Sequence, residues 1–319
     1  MKKKLLIVLK VLLVLSILSY LLVSKKLDLS SLSIYLHDPM MILVNVSIWL
    51  FGCCILTSYR WNLVLKGMNL SIPFKRVMHL NLVGFFFNTI APGAVGGDLV
   101  KAYYLFREQE SGKRTPAMLA IFLDRVLGLY AVFIIAAFSV FAFYSHFTES
   151  KMLSTIALIA VGGFSAMTLV FTFLFFSRSP AENNIIYRFL NRPYPGFSFL
   201  QKIFLSFFLL KQNPGYFFKA VFIGVLFQLS YMGFYCFVTL RLGHTFSYPD
   251  FAAIFPVGFL ISALPIAPGG LGVGHLAFDQ LFNIIGIDKG ANIYNCIFLG
   301  QTFMNLLGLF PYLLLKKKR

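Results

Sequence analysis

The sequence predicts an all-α integral membrane protein with six spanning helices plus two re-entrant helical hairpins related by an inverted-topology repeat, forming one transmembrane domain over residues 1–319. Three observations carry that prediction. Hydrophobic residues make up 59% of the chain and charged residues only 12%, against about 25% charged in ordinary soluble proteins. Six apolar runs are each long enough to cross a bilayer. Two further apolar regions are broken at their centres by the same Pro-Gly motif.

A spanning helix needs about 20 apolar residues, because each adds about 1.5 Å across about 30 Å of hydrocarbon. Runs 5–23, 40–59, 116–145, 152–176, 217–240 and 292–315 meet that length. The first follows Lys2-Lys3-Lys4 as a signal peptide would, but its apolar core is too long and ends in Ser24-Lys25-Lys26 without a small-x-small cleavage site. It reads as a retained helix, with Lys10 snorkelling to the headgroups. Regions 77–106 and 251–285 contain Ala91-Pro92-Gly93 with Gly96-Gly97, and Pro265 with Pro268-Gly269-Gly270 and Gly272. Proline removes a helix donor and glycine admits positive φ, so neither region is one continuous helix. Two short helices folded back on each other satisfy the backbone at membrane depth. The basic loop 177–216 contains a turn at Pro193-Tyr194-Pro195-Gly196 and an interfacial helix over 200–210.

The charge pattern fixes an orientation. If both hairpins return to the side they entered, the outer loops hold only Lys25, Lys26, Lys151, Arg241 and Lys289 of the 28 Lys and Arg residues. Nearly all the rest are cytoplasmic, including both termini. The net charge of +17 therefore reports topology and anionic lipid, not nucleic acid.

Ile90-Ala91-Pro92-Gly93-x-x-Gly96 recurs as Ile266-Ala267-Pro268-Gly269-x-x-Gly272, each flanked by spans, so repeat halves lie at approximately 40–145 and 217–315. The first hairpin enters from the cytoplasm and the second from outside, the inverted arrangement of many secondary transporters. Each Pro-Gly turn opens a short helix whose first N–H groups lack helical partners and favour an anion such as phosphate.

Ionisable groups at membrane depth cost about 2.5–3.5 kcal/mol on insertion scales, so each needs a reason. Asp98 is either a helix cap or a functional carboxylate, and Lys101 either a cytoplasmic anchor or a counter-charge. Asp124 and Arg125 are adjacent on a span and point in different directions. The expected pairings are Asp124 with Lys101 and Arg125 with a phosphate. His275 and Asp279, four apart on one helix face, form either a proton-carrying pair or a satisfied hydrogen bond. Arg60 and Trp61 read as interface anchors, and Gln228, Gln301 and Asn305 as interhelical hydrogen-bonding groups. The four cysteines have no CxxC spacing and read as packing residues. No cofactor or metal is expected, and the sequence contains neither a GxxxxGK[ST] loop nor HExxH.

The chain resembles the transmembrane region of lysylphosphatidylglycerol synthases, the flippase-like family, over nearly its whole length. The matching marks are Asn88 with Pro92-Gly93 and Gly96-Gly97-Asp98, Asp124-Arg125 with Gly128, and Pro268-Gly269-Gly270-Leu271-Gly272. The family tends to carry Arg at Lys101 and Arg-Glu at Gly274-His275. Its full synthases add a soluble aminoacyl-transferase domain, so lysyl-lipid synthesis by this chain alone is not expected. The resemblance implies a multi-pass protein of the plasma (bacterial inner) membrane that moves an anionic or polyprenyl-linked lipid between leaflets. The headgroup is expected between the two Pro-Gly turns, with Lys101 and Arg125 as counter-charges and Asp98, Asp124, His275 or Asp279 exchanging a proton. A membrane transferase, or a partner of an enzyme of envelope lipid or glycan synthesis, is the alternative reading. A small-solute or ion transporter is the third.

Overall fold

The computed structural model describes residues 33–90, 96–148, 151–177, 189, 197–262 and 273–315. Among these, every regular element is helical. In chain order the main helices are α1 (Pro39–Gly67), α2 (Phe74–Ile90), α3 (Gly96–Glu108), α4 (Ser111–Ala142), α5 (Lys151–Phe176), α6 (Phe197–Lys211), α7 (Pro214–Arg241), α8 (Tyr248–Ser262), α9 (Val273–Ile284) and α10 (Gly290–Leu314). By length and composition, α1, α4, α5, α7 and α10 can cross a membrane. They coincide with five of the six expected spans. The sixth, at 5–23, lies outside the described residues, as do Pro92, Gly93, Pro268, Gly269, Gly270 and Gly272.

The shorter helices fall where the broken regions were expected. α2, α3, α8 and α9 have 17, 13, 15 and 12 residues. At about 1.5 Å per residue these are about 18 to 26 Å long, short of about 30 Å of hydrocarbon. The order long, short, short, long therefore occurs twice along the chain, in α1–α4 and in α7–α10.

Local chemistry sets the helix ends. Asp38 caps α1 by accepting the Met40 N–H at 3.0 Å, with Pro39 at the first helical position. At the other end Asn69 takes the left-handed conformation (φ 60) and the Leu70 N–H returns to the Leu65 carbonyl at 2.9 Å. Between them, Ile48–Leu56 winds as a π-helix. At the start of α10, Lys289 is left-handed (φ 63), and Asp279 of α9 accepts the Ala291 N–H at 3.0 Å.

The chain forms two compact units, each drawing on both halves of the sequence. Unit 1 comprises residues 1–52, 79–100 and 231–319; unit 2 comprises 53–78 and 101–230. In unit 1, α2 and α3 approach backbone to backbone. A Cβ on Gly97 would lie 2.0 Å from the Gly84 carbonyl oxygen, so only glycine fits. α8 packs on α9 and α9 on α10, through rings that include Phe255, Phe278 and Tyr294, with Gly258 and Gly274 leaving room for the last two. In unit 2, α4 packs on α5 and α6. Tyr130, Phe171, Phe175, Phe207 and Phe217 form a continuous aromatic cluster there. A helix is present where one was expected over 200–210, as α6, with Phe204, Phe207 and Leu210 buried.

Candidate functional site

Unit 2 holds an ion cluster in otherwise apolar surroundings. Arg60 of α1 donates to Asp124 of α4 twice, Nε to Oδ1 at 2.7 Å and Nη2 to Oδ2 at 3.0 Å. The bidentate fork requires a planar guanidinium and both carboxylate oxygens. Small residues make the space for it. A Cβ on Gly128 would lie 2.9 Å from Arg60 Nη1, and one on Gly224 of α7 would lie 3.0 Å from Ala131 and 3.6 Å from Arg60 Cδ. Lys101 of α3 is buried beside this pair, its Nζ 5.0 Å from the Trp61 ring centroid. Asp124 and Arg60 both act electrostatically on the Lys101 ammonium.

This cluster corrects one sequence expectation. Arg60 and Trp61 are not interface anchors: they are 9% and 1% exposed. Asp124, expected to pair with Lys101, takes Arg60 as its bidentate partner. The signal that could have found Arg60 is the glycine pair Gly128 and Gly224, small residues on neighbouring helices that admit a long polar side chain. The Trp61 indole N–H and the Gln228 carboxamide oxygen are buried without a hydrogen-bond partner among the described residues. Arg125, next to Asp124 on α4, is exposed.

Unit 1 contains a cavity of about 250 Å³. Asn88 and Thr89, at the end of α2, line it together with Ser262, the last residue of α8. The two short helices that run into the Pro-Gly segments therefore bring their ends to one cavity. The remaining wall comes from the faces of α7 and α10, including Tyr235, Thr302 and Asn305. Asn88 Oδ1 accepts the Gly97 N–H at 2.7 Å, satisfying one of the orphan donors at the start of α3. Asp98 is buried in the first turn of the same helix, where a carboxylate complements the dipole. Asn305 Oδ1 accepts the Trp49 indole N–H at 3.0 Å, and Gln301 Nε2 donates to Asn45 Oδ1 at 2.9 Å. Gln301 and Asn305 thus make the interhelical hydrogen bonds the sequence suggested.

His275 and Asp279 share α9 but engage different groups. His275 Nε2 meets Asn295 Oδ1 at 3.1 Å, with the ring edge-on to Tyr294. Asp279 is the carboxylate that caps α10.

Helices of spanning length, short paired helices and buried ionised groups define a multi-pass membrane protein. It belongs to the lysylphosphatidylglycerol synthase TM region family, whose model matches residues 7–303. A UPF0104 membrane protein of Pyrococcus horikoshii is 24% identical over 91% of this chain and 89% of its own length. UPF0104 membrane proteins of Methanocaldococcus jannaschii and Methanothermobacter thermautotrophicus are 25% and 27% identical, each over 73% of this chain and 71% of the relative. No solved structure matches.

Proposed function

We propose that this protein moves a phospholipid or a polyprenyl-phosphate-linked lipid between the leaflets of the plasma membrane, with its termini in the cytoplasm. The observation that carries this reading is the unit 1 cavity, which the last residues of α2 and α8 line together. A polar cavity among spanning helices gives a headgroup a hydrated stop while its tails stay in lipid. The twofold long-short-short-long order, with the charge bias that sends the two short pairs in from opposite faces, supports an inverted repeat. The buried Arg60–Asp124–Lys101 cluster supports an anionic lipid, since cations at membrane depth are retained at a cost of about 2.5–3.5 kcal/mol each.

The family description includes the word synthase, which favours keeping a lipid transferase as the second reading. One experiment separates the two. Full-length protein in proteoliposomes is given labelled phosphatidylglycerol and labelled polyprenyl phosphate, and outer-leaflet label is destroyed by dithionite. Protein-dependent loss of inner-leaflet label, abolished in a folded Lys101→Met variant, is the expected result. Absence of exchange for every lipid by folded protein sinks the translocation reading, and appearance of a new lipid product by mass spectrometry supports the transferase.

A further inference from the structure

Among the described residues, the lining of the unit 1 cavity contains no ionised side chain. Its polar groups are amides and hydroxyls, and those of Asn88, Thr89, Ser262 and Asn305 are oriented by what they already bind. A backbone N–H and an indole N–H can only donate. The oxygen of Asn88 must therefore face Gly97, and the oxygen of Asn305 must face Trp49. Both NH2 groups are left as donors. Thr89 and Ser262 spend their hydroxyl protons on the Phe85 and Phe259 carbonyls at 3.1 and 2.9 Å, so their oxygens remain as acceptors. Thr302 adds a further hydroxyl, and the ring of Tyr235 gives an apolar face.

A lining that combines oriented donors with oriented acceptors discriminates among ligands. A phosphate or carboxylate only accepts, and would meet the lone pairs of Thr89 and Ser262. A cation finds no carboxylate among the described lining residues. A hydrocarbon chain would leave both carboxamide NH2 groups unpaired, at about 1–3 kcal/mol each. A hydroxyl group both donates and accepts, and several on one small scaffold match all these positions at once. The volume of about 250 Å³ has room for one polyol or sugar ring.

We propose that this cavity binds an uncharged polyhydroxylated group, a glycerol or sugar moiety borne on the lipid headgroup. The inference rests on the translocation reading and names the part of the substrate this cavity selects.

The test uses the full chain in phosphatidylcholine nanodiscs, with binding of phosphatidylglycerol, monoglucosyl diacylglycerol and phosphatidic acid measured by native mass spectrometry. The variants are Ser262→Ala with Thr302→Val, which removes two hydroxyls at nearly constant shape, and Asn305→Asp, which keeps the acceptor for Trp49 and removes the NH2. Phosphatidylglycerol and the glucosyl lipid should each lose about fivefold in affinity per hydroxyl removed, and phosphatidic acid should be unaffected. Thr302→Ser should restore most of the loss. Equal binding of phosphatidylglycerol and phosphatidic acid, insensitive to the variants, would mean that water alone fills the cavity; that outcome overturns the inference and leaves leaflet exchange standing. Free glucose or glycerol binding as tightly as the lipids overturns the lipid-borne source. Hydroxyl-dependent lipid binding without exchange of any lipid in proteoliposomes upholds the cavity's selectivity and removes translocation.

Discussion

The guanidinium of Arg60 and the carboxylate of Asp124 form a planar, two-bonded ion pair that joins α1 to α4, and neither residue is more than 9% exposed. Their positions are 64 residues apart in sequence, so the pair is a long-range contact between two segments of unit 2. A buried pair of this kind costs much to assemble and more to break, because either partner left alone is an uncompensated charge in low dielectric.

Arg60→Gln and Asp124→Asn should therefore each destabilise the protein by about 3–5 kcal/mol. The double replacement Arg60→Met with Asp124→Leu should be milder than either single change. Unfolding midpoints in detergent decide this; a double variant as damaged as the sum of the singles contradicts it.

Gly97 should tolerate no side chain. Gly97→Ala places a methyl 2.0 Å from the Gly84 carbonyl oxygen, so α2 and α3 must separate, with loss of folded protein. Gly112→Ala is the control: nothing lies within 4 Å of its Cβ, and this change in the first turn of α4 should leave the yield of folded protein unchanged. Monodisperse yield by size-exclusion chromatography reports both.

Asp279→Ala should cost about 1 kcal/mol, the usual value of a lost cap, because its oxygen holds the Ala291 N–H at the start of α10. Asp279→Asn should recover most of this, since an amide oxygen also accepts. Similar unfolding midpoints for the Ala and Asn variants would count against capping.

At the start of α1, Arg241 Nε meets Asp38 Oδ2 at 2.9 Å, with side chains 43% and 21% exposed. Arg241→Ala should cost less than about 1 kcal/mol and should matter less as salt rises. Asp38→Ala should cost about 1 kcal/mol more than Arg241→Ala, because it also removes the cap on the Met40 N–H. Equal effects of the two changes would show that the cap contributes nothing.

The five described spans were legible because the requirement they meet, about 20 apolar residues, is local and one-dimensional. The breaks were legible too, since proline and glycine act on their own backbone. Arg60 was not: at the end of an apolar run a basic residue followed by Trp61 has the look of a headgroup anchor, and only the register of α1 against Gly128 and Gly224 turns it inward. The π-helical winding at Ile48–Leu56 has no residue signature, because wide turns arise from how a helix is packed. The cavity was half-visible. Asn88 is conspicuous beside the Pro-Gly motif, and Asn305 and Gln301 are polar residues in an apolar run, but only the folded chain brings all three to one cavity. The His275–Asp279 spacing suggested a pair, and the neighbouring helix α10 supplied each with a different partner.

The chain contains two tryptophans, and they fall one to each unit in opposite states. Trp49 of unit 1 donates its indole N–H to Asn305; Trp61 of unit 2 is buried with its indole N–H unpartnered among the described residues. Indole emission moves to longer wavelength when the ring is hydrogen-bonded in a polar setting and to shorter wavelength when it is not. The protein therefore carries one intrinsic fluorophore in each unit, one hydrogen-bonded to a residue of the cavity wall and the other beside the ion cluster, so that replacing either by Phe leaves a reporter of the other unit without an attached label.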